Sequence, residues 1–534
     1  MKKHINRLYS LIEYVVVFIL LLFICFTVNK GIVIKGLFMD DLFHWSWFRY
    51  VPNFYEFAIK FYDTATRYRP VFDSIQYLIY SIVGTDPLRF VIVNMVYNSL
   101  VALFIYYFVR KFSAGKYISL LISALYLVGH YAYYQIGQAI GSLETNGIIF
   151  SLLTLYYAVK LVEGFPSQKI GDVRTKKEII LNIFLMYFFF FIVSFAHERY
   201  LGVIVIIILA ILFMGEYVNH GEKVSKKENL LFKIKCLFLL VLELICITII
   251  RFKGTGNLIP AGTGGTRVEQ TFNVFECFNN CFRQVATIFG INMGPEHLYG
   301  IDFESISNAG IKYLTIASIC FILVIFLVYL LKKLKNKDFN FKNDLLILSY
   351  IAICIGSSSV TVRVELRFVY SGYTGALIYL GYILGYLSHP DAFLGIENPV
   401  DYKVLKKNNV IPVLLITLVF LTRLPIELEY RNNFKKIYCY VDQARMNSLY
   451  DLTIGKYGTD EILHNKKIYV QNNYFGMTKF YAEYFFKIYD EKDIGNEIIL
   501  FNDISEVDLK NGNIIVLAED LVNNVYMEVE LPKR

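Results

Sequence analysis

The chain has 534 residues, of which 56% are hydrophobic and only 18% charged, with a formal net charge of +8. Soluble proteins carry about 25% charged residues, and a globule this apolar could not cover its own surface with polar groups. The composition excludes an ordinary soluble enzyme, a disordered chain and a fibrous repeat, and points to a polytopic α-helical membrane protein.

The N-terminus starts basic, Met1-Lys2-Lys3, and runs into an apolar stretch at 11–28. No small-residue cleavage site follows it, so it reads as an uncleaved first span. Further spans are predicted at 88–109, 117–134, 143–162, 179–196, 200–218, 234–251, 311–331, 344–360, 368–387 and 410–424, about 11 transmembrane helices in all. Each is near the ~20 residues that cross ~30 Å of hydrocarbon.

Basic clusters at 110–116, 169–177, 223–227, 332–337 and 403–407 alternate with Lys-poor loops. The positive-inside rule then puts the N-terminus and these clusters in the cytoplasm. Counting the apolar stretch 71–83 as a span would invert that pattern, so it reads as an interfacial helix in the outer leaflet. No RNA or DNA motif is present, and no nucleic-acid partner is expected.

The outer face carries loops 31–87 and 252–310 and a C-terminal region, 425–534. The last changes composition: β-rich runs at 467–470, 497–501 and 513–517 alternate with helical patterns such as 481–489. It reads as a small α/β extracytoplasmic domain following a membrane bundle, 1–424. A helix with Phe275, Phe278 and Phe282 on one stripe is expected to pack in the membrane. The Gly-rich stretch 254–267 reads as a mobile loop over a site.

Ionisable residues outside the basic loops fall in a few short stretches. Asp40 and Asp41 open the first outer loop; a carboxylate at a membrane surface can serve as a general base, while Asp at a helix start can equally be a cap. Arg67 and Arg69 precede Pro70, which opens a helix; they would grip phosphate or anchor on headgroups. His197, Glu198 and Arg199 make a very short outer loop, either paired in a pocket or a solvated turn. Arg363 and Arg367, four apart with Glu365 between, would hold phosphate or make a salt bridge. His130 to Gln135 and Glu144 suit sugar faces and hydroxyls, or an aromatic belt. Glu243, inside a span, is expected to make an interhelical hydrogen bond.

The acidic pair Asp40/Asp41 after the first span, Arg69-Pro70, the Glu198 loop and the stretch Arg363…Arg367-Phe368-Val369-Tyr370 together resemble the GT-C superfamily of integral-membrane glycosyltransferases. Relatives with His-Pro after the third span differ here, where Tyr131 follows His130. The resemblance implies a polyprenyl-phosphate-sugar donor, a glycan, lipid or protein acceptor, and contact with membrane lipid. It implies Asp40 or Asp41 as base, with Glu198 also catalytic. It implies substrate binding by Arg67, Arg69, His197, Arg363, Arg367, Tyr370 and His130. A divalent cation such as Mg or Mn is used by some members and not others; the ligands here would be Asp40, Asp41, His197 and Glu198. Two rival readings are a many-span O-antigen-type polysaccharide polymerase and a lipid-linked saccharide transporter or flippase. A flippase would show ionisable groups near the midplane and two related halves.

Overall fold

The computed structural model describes residues 2–51, 53–61, 67–84, 86–162, 165, 175–219, 222–257, 273–293, 300–361, 364–390, 393, 410–434, 438–489, 496–509 and 513–530. Arg363, the expected glycines at 262–265 and the basic cluster at 403–407 lie outside the described residues.

Helix α1 (Lys2–Asn29) leads to α2 (Met39–Tyr50) and α3 (Pro70–Val83). Pro70 at the first turn fits its fixed φ and missing N–H, and Gly84 at φ +68° ends α3 in a backbone conformation that favours glycine. Then come α4 (Leu88–Lys111), α5 (Lys116–Val128), α6 (Tyr133–Gly137), α7 (Ser142–Val162), α8 (Lys176–Ala196) and α9 (Ile204–Phe213). After these follow α10 (Lys226–Thr255), α11 (Val274–Ile288), α12 (Ala309–Lys335), α13 (Lys342–Ser359), α14 (Leu366–Ser388) and α15 (Val410–Asn432). Helices α8 and α10 each start on a reciprocal capping box, Thr175/Glu178 and Ser225/Glu228, which satisfies end amides that no intrahelical carbonyl can reach.

Among the described residues, six helices are long and apolar enough to cross a membrane: Tyr9–Asn29, Leu88–Lys111, Ser142–Val162, Lys176–Ala196, Ala309–Lys335 and Val410–Asn432. The chain is a membrane protein of mostly helical fold. The predicted stretches 234–251, 344–360 and 368–387 also lie on helices, α10, α13 and α14. The predicted span at 200–218 instead divides into a 3-10 turn, Glu198–Val203, and the ten-residue α9. Helix α14 is buried on nearly every side, which explains its all-round apolar sequence.

Two details differ from expectation. The boundary expected at 424/425 falls inside α15, which runs through Pro425 to Asn432. The proline's missing N–H is tolerated because the next turn is anchored by buried side chains, Glu427, Tyr430 and Arg431. Arg431 donates to the carbonyls of Leu127, Val128 and Gly129, capping the C-terminal end of α5. Glu243 makes no interhelical hydrogen bond among the described residues.

The C-terminal domain starts with α16 (Tyr438–Leu452), α17 (Ile454–Tyr457) and α18 (Thr459–His464). After a two-residue-strand hairpin earlier in the chain, β1 (Val218–Asn219) and β2 (Glu222–Lys223), its own strands are β3 (Lys467–Gln471), β4 (Ile498–Phe501), β5 (Ile514–Asp520) and β6 (Val525–Glu528). They form one sheet of order β4-β3-β5-β6, parallel across β3/β4 and β3/β5 and antiparallel across β5/β6. Helix α19 (Lys479–Tyr484) and a turn at Lys487–Tyr489 complete it. Its core joins Leu449, Ile468, Val470, Phe485, Ile515 and Leu517 with Phe38 from the first loop, so the domain packs on the chain just ahead of Asp40.

Candidate active site

Helix α2 begins at Met39, and neighbours on a helix point ~100° apart, so Asp40 and Asp41 separate at once. Asp41 is fully buried, and its carboxylate accepts the N–H groups of Ala139 (2.8 Å) and Ile140 (3.0 Å). The turn it holds is also gripped by Gln76, which donates to the Ala139 carbonyl, and Asn94, which donates to that of Gln138. Burial pushes the Asp41 carboxyl up to about 7, with the two amides acting against that rise. The expectation that Asp41 could serve as the base is therefore corrected: its oxygens are occupied by backbone amides.

Asp40 is exposed, and among the described residues none hydrogen-bonds to its carboxylate. Its charge acts on Arg67, Arg367 and Tyr134. Arg67 and Arg69 come from the segment leading into α3. The Tyr68 ring packs against Gly254 at 2.5 Å from where a Cβ would lie, and its hydroxyl donates to the Ile59 carbonyl. Arg69 is 8% exposed and meets Glu198 in a two-pronged pair, Nε to Oε2 at 2.7 Å and Nη2 to Oε1 at 2.5 Å. Arg67 Nε lies 3.9 Å from the same carboxylate. Burial works to raise the Glu198 carboxyl, but the Arg69 guanidinium outweighs it and holds it well below the usual carboxylate range.

Helix α8 stops at Ala196 because His197 turns to extended backbone, where its Nδ1 accepts the Arg199 N–H at 3.2 Å. The neutral ring then carries its proton on Nε2, which faces Glu144 Oε1 at 3.4 Å. Burial, then Arg69, pushes the His197 imidazole down to about 4, so it is neutral at physiological pH. Arg199 pairs with Glu144 and stacks on the Phe368 ring at 4.4 Å. Arg367 pairs with Glu365 (2.6 Å) and stacks on Tyr134 at 4.4 Å. Arg67, Arg69, His197, Glu198 and Arg367 thus lie in one network, joined by Glu144, Arg199 and Tyr134, and the Asp40 charge acts on it. The signal for Glu144 was an acid in the first turn of a span, a costly place without a partner.

His130 and Tyr370, expected to bind substrate, do other work. His130 is fully buried with both ring nitrogens engaged, Nδ1 with Glu427 at 2.5 Å and Nε2 with Asn292 at 3.3 Å. Glu427 also takes Arg423 at 2.5 Å, and Arg423 donates to the Tyr131 hydroxyl. A charge network this deep must satisfy itself, because an unpaired buried charge is costly. Tyr370 is fully buried; it stacks on Tyr126 at 4.7 Å and donates to that residue's carbonyl. Sequence reasoning missed Arg423, Glu427 and Arg431, although ionisable residues spaced by four in an apolar helix were a visible sign.

Among the described residues no three His, Cys, Asp or Glu side chains converge as a metal site. Glu144, Glu198 and Glu365 are each taken by an arginine and Asp41 by amides. Of the four expected ligands, Asp41 and Glu198 are thus engaged within the protein, and Asp40, Asp41, His197 and Glu198 do not converge as a cation site among the described residues.

No protein-family model matches the chain, and no curated protein matches it. It is similar in structure to the apo form of the oligosaccharyltransferase of Archaeoglobus fulgidus, with TM-score 0.45 and 12% identity over 93% of this chain and 65% of that one. It is similar to the same enzyme tethered to an acceptor peptide containing the NVT sequon, with TM-score 0.44 and 12% identity over 93% and 64%. It is also similar to archaeal AglB from that organism in complex with an inhibitory peptide and a dolichol-phosphate, with TM-score 0.40 and 11% identity over 95% and 69%. The chain spans less than two thirds of the length of the first two.

Proposed function

We propose that the protein is a membrane glycosyltransferase that moves a sugar from a polyprenyl-phosphate donor to a hydroxyl of an extracytoplasmic glycan, lipid or protein acceptor. One observation carries this reading: Asp40 is an exposed carboxylate without a hydrogen bond from any described residue, and its charge acts on Arg67 and Arg367. A base beside two guanidinium groups, on a bundle of apolar helices, suits an acceptor hydroxyl and a lipid phosphate meeting at a membrane surface.

In the proposed step Asp40 takes the proton of the acceptor hydroxyl. The acceptor oxygen bonds to the anomeric carbon with inversion. The bond from that carbon to the phosphate oxygen breaks, and polyprenyl phosphate leaves with the electron pair. Arg67 and Arg367 stabilise the charge that develops on the leaving phosphate, where such groups contribute most. Glu198 orients Arg69 and Arg67, and Glu365 orients Arg367, a role that replaces direct catalysis by Glu198.

The test gives membranes containing the protein a panel of labelled polyprenyl-phosphate sugars and follows release of polyprenyl phosphate. Release is expected with at least one sugar and falls about 10²–10³-fold in Arg367→Ala. Equal release with and without the protein across the panel would refute the proposal.

A further inference from the structure

Asp40 sits between two anchors. On its C-terminal side Asp41 is bonded to the 138–141 turn. On its N-terminal side Phe38 is 5% exposed and built into the core of the C-terminal domain, while the Phe38 carbonyl accepts the Asp41 N–H at 3.2 Å. The segment just before it has its backbone read by one face of α16. Gln443, Asn447 and Asp451 recur at intervals of four, so they stand in a row along that helix. Asn447 Oδ1 accepts the Lys35 N–H at 2.8 Å, and Asn447 Nδ2 donates to the Val33 carbonyl at 2.9 Å, as a paired strand would. Gln443 Nε2 donates to the Gly36 carbonyl (2.7 Å) and to Asn447 Oδ1 (2.9 Å). Asp451 pairs with Lys35 Nζ at 2.7 Å, and the Tyr489 hydroxyl donates to the Lys35 carbonyl at 3.0 Å. At Gly36 the fit is close: a Cβ would lie 2.7 Å from the Met446 carbonyl oxygen and 2.9 Å from the Phe485 ring.

We infer that the C-terminal domain is a positioning element for the site, in which Gln443 and Asn447 on α16 set the register of residues 33–38 and so hold the Asp40 carboxylate in the field of Arg67 and Arg367. The inference rests on the proposed role of Asp40 only for its catalytic consequence; the placement itself is testable without a substrate. Gln443 and Asn447 act through Asp40 and touch no reacting atom, which makes them positioning residues.

The test uses the full chain in lipid nanodiscs with Asp40→Cys as a reporter. The thiol is labelled separately with an anionic and a cationic methanethiosulfonate reagent of similar size, and the residue-40 peptide is quantified by mass spectrometry. With the clamp intact, the cations around position 40 favour the anionic reagent by about 10-fold or more. Adding Asn447→Ala, which removes the acceptor of the Lys35 amide and the donor to Val33, is expected to drop that preference to about 2-fold or less. Tyr474→Ala, an exposed change in the same domain, should leave it unchanged. Hydrogen exchange of β3 and β5 reports that the domain stays folded; should Asn447→Ala unfold it, Gln443→Leu, which removes the bonds to Gly36 and to Asn447 Oδ1 and keeps those of Asn447 to Lys35 and Val33, is read instead. A preference near unity in Asp40→Cys alone, a preference that survives loss of the Asn447 or Gln443 bonds, or an equal loss in Tyr474→Ala would each overturn the inference. Failure of the glycosyltransferase reading would appear separately, as an absence of sugar transfer with the labelling pattern intact.

Discussion

Replacing Glu198 with Gln isolates the balance of charge on which the site depends. The side chain removed is 14% exposed and its partner Arg69 only 9%, with two contacts of 2.5 and 2.7 Å between them and Arg67 at 3.9 Å. Losing one member of a buried pair leaves the other charge desolvated without compensation, which costs about 3–5 kcal/mol. Both groups retain some solvent contact, so the lower end, about 3 kcal/mol, is the expected destabilisation of Glu198→Gln. Removing both charges should recover most of it, because Arg69→Gln/Glu198→Gln leaves no unpaired guanidinium in the pair. The expected coupling is about 2 kcal/mol by double-mutant cycle. Unfolding of the purified protein by titration with SDS, followed by tryptophan fluorescence and circular dichroism, measures each variant. A loss below about 1 kcal/mol in Glu198→Gln, or a double variant no more stable than the single, would refute the reasoning and return Glu198 to the catalytic candidates.

Three further outcomes follow from other parts of the molecule. Asp41 releases its proton near pH 4 when unfolded and near 7 when folded, so the stability it contributes at low pH is lost as pH rises through that window. Asp41→Asn lacks this loss, so between pH 5 and 7 its stability relative to wild type should rise by up to about 1.4 kcal/mol per pH unit; a pH-independent difference in SDS unfolding would contradict it. Glu427→Leu strands Arg423 and removes the acceptor of the His130 backbone N–H and the partner of its Nδ1, and should cost about 3–5 kcal/mol with little purified folded protein; near-normal stability by size-exclusion yield and unfolding would count against it. On α11, Phe275, Phe278 and Phe282 are exposed while Asn280, Gln284 and Thr287 are buried, an inverted arrangement suited to lipid. A photo-crosslinking residue at Phe278 should capture lipid acyl chains in membranes, and capture of none would place that face elsewhere.

Much of the fold was legible because the controlling signals are local. Apolar runs of spanning length, Pro70 at a helix start and the β-rich runs after 466 each read from a short window. The site was legible only as separate stretches. Asp40 and Asp41 are adjacent and chemically alike, and what distinguishes them is a turn 98 and 99 residues from Asp41, whose amides take one carboxylate and leave the other. Arg69 finds Glu198 across 129 positions, a pairing no spacing rule could reveal. His130 looked available for a ligand because its partner, Glu427, lies 297 residues away in a helix whose expected end at 424 stopped short of it. The span expected to end at 424 continues through Pro425, and the packing that carries the helix past it is tertiary.

The most direct measurement of the central claim is the rate of polyprenyl-phosphate release from a labelled lipid-linked sugar by Asp40→Asn in membranes, compared with wild type at equal folded amount. The account predicts a loss of about 10²–10⁴-fold with stability unchanged, since no described residue hydrogen-bonds to that carboxylate. Release at the wild-type rate by Asp40→Asn would contradict it.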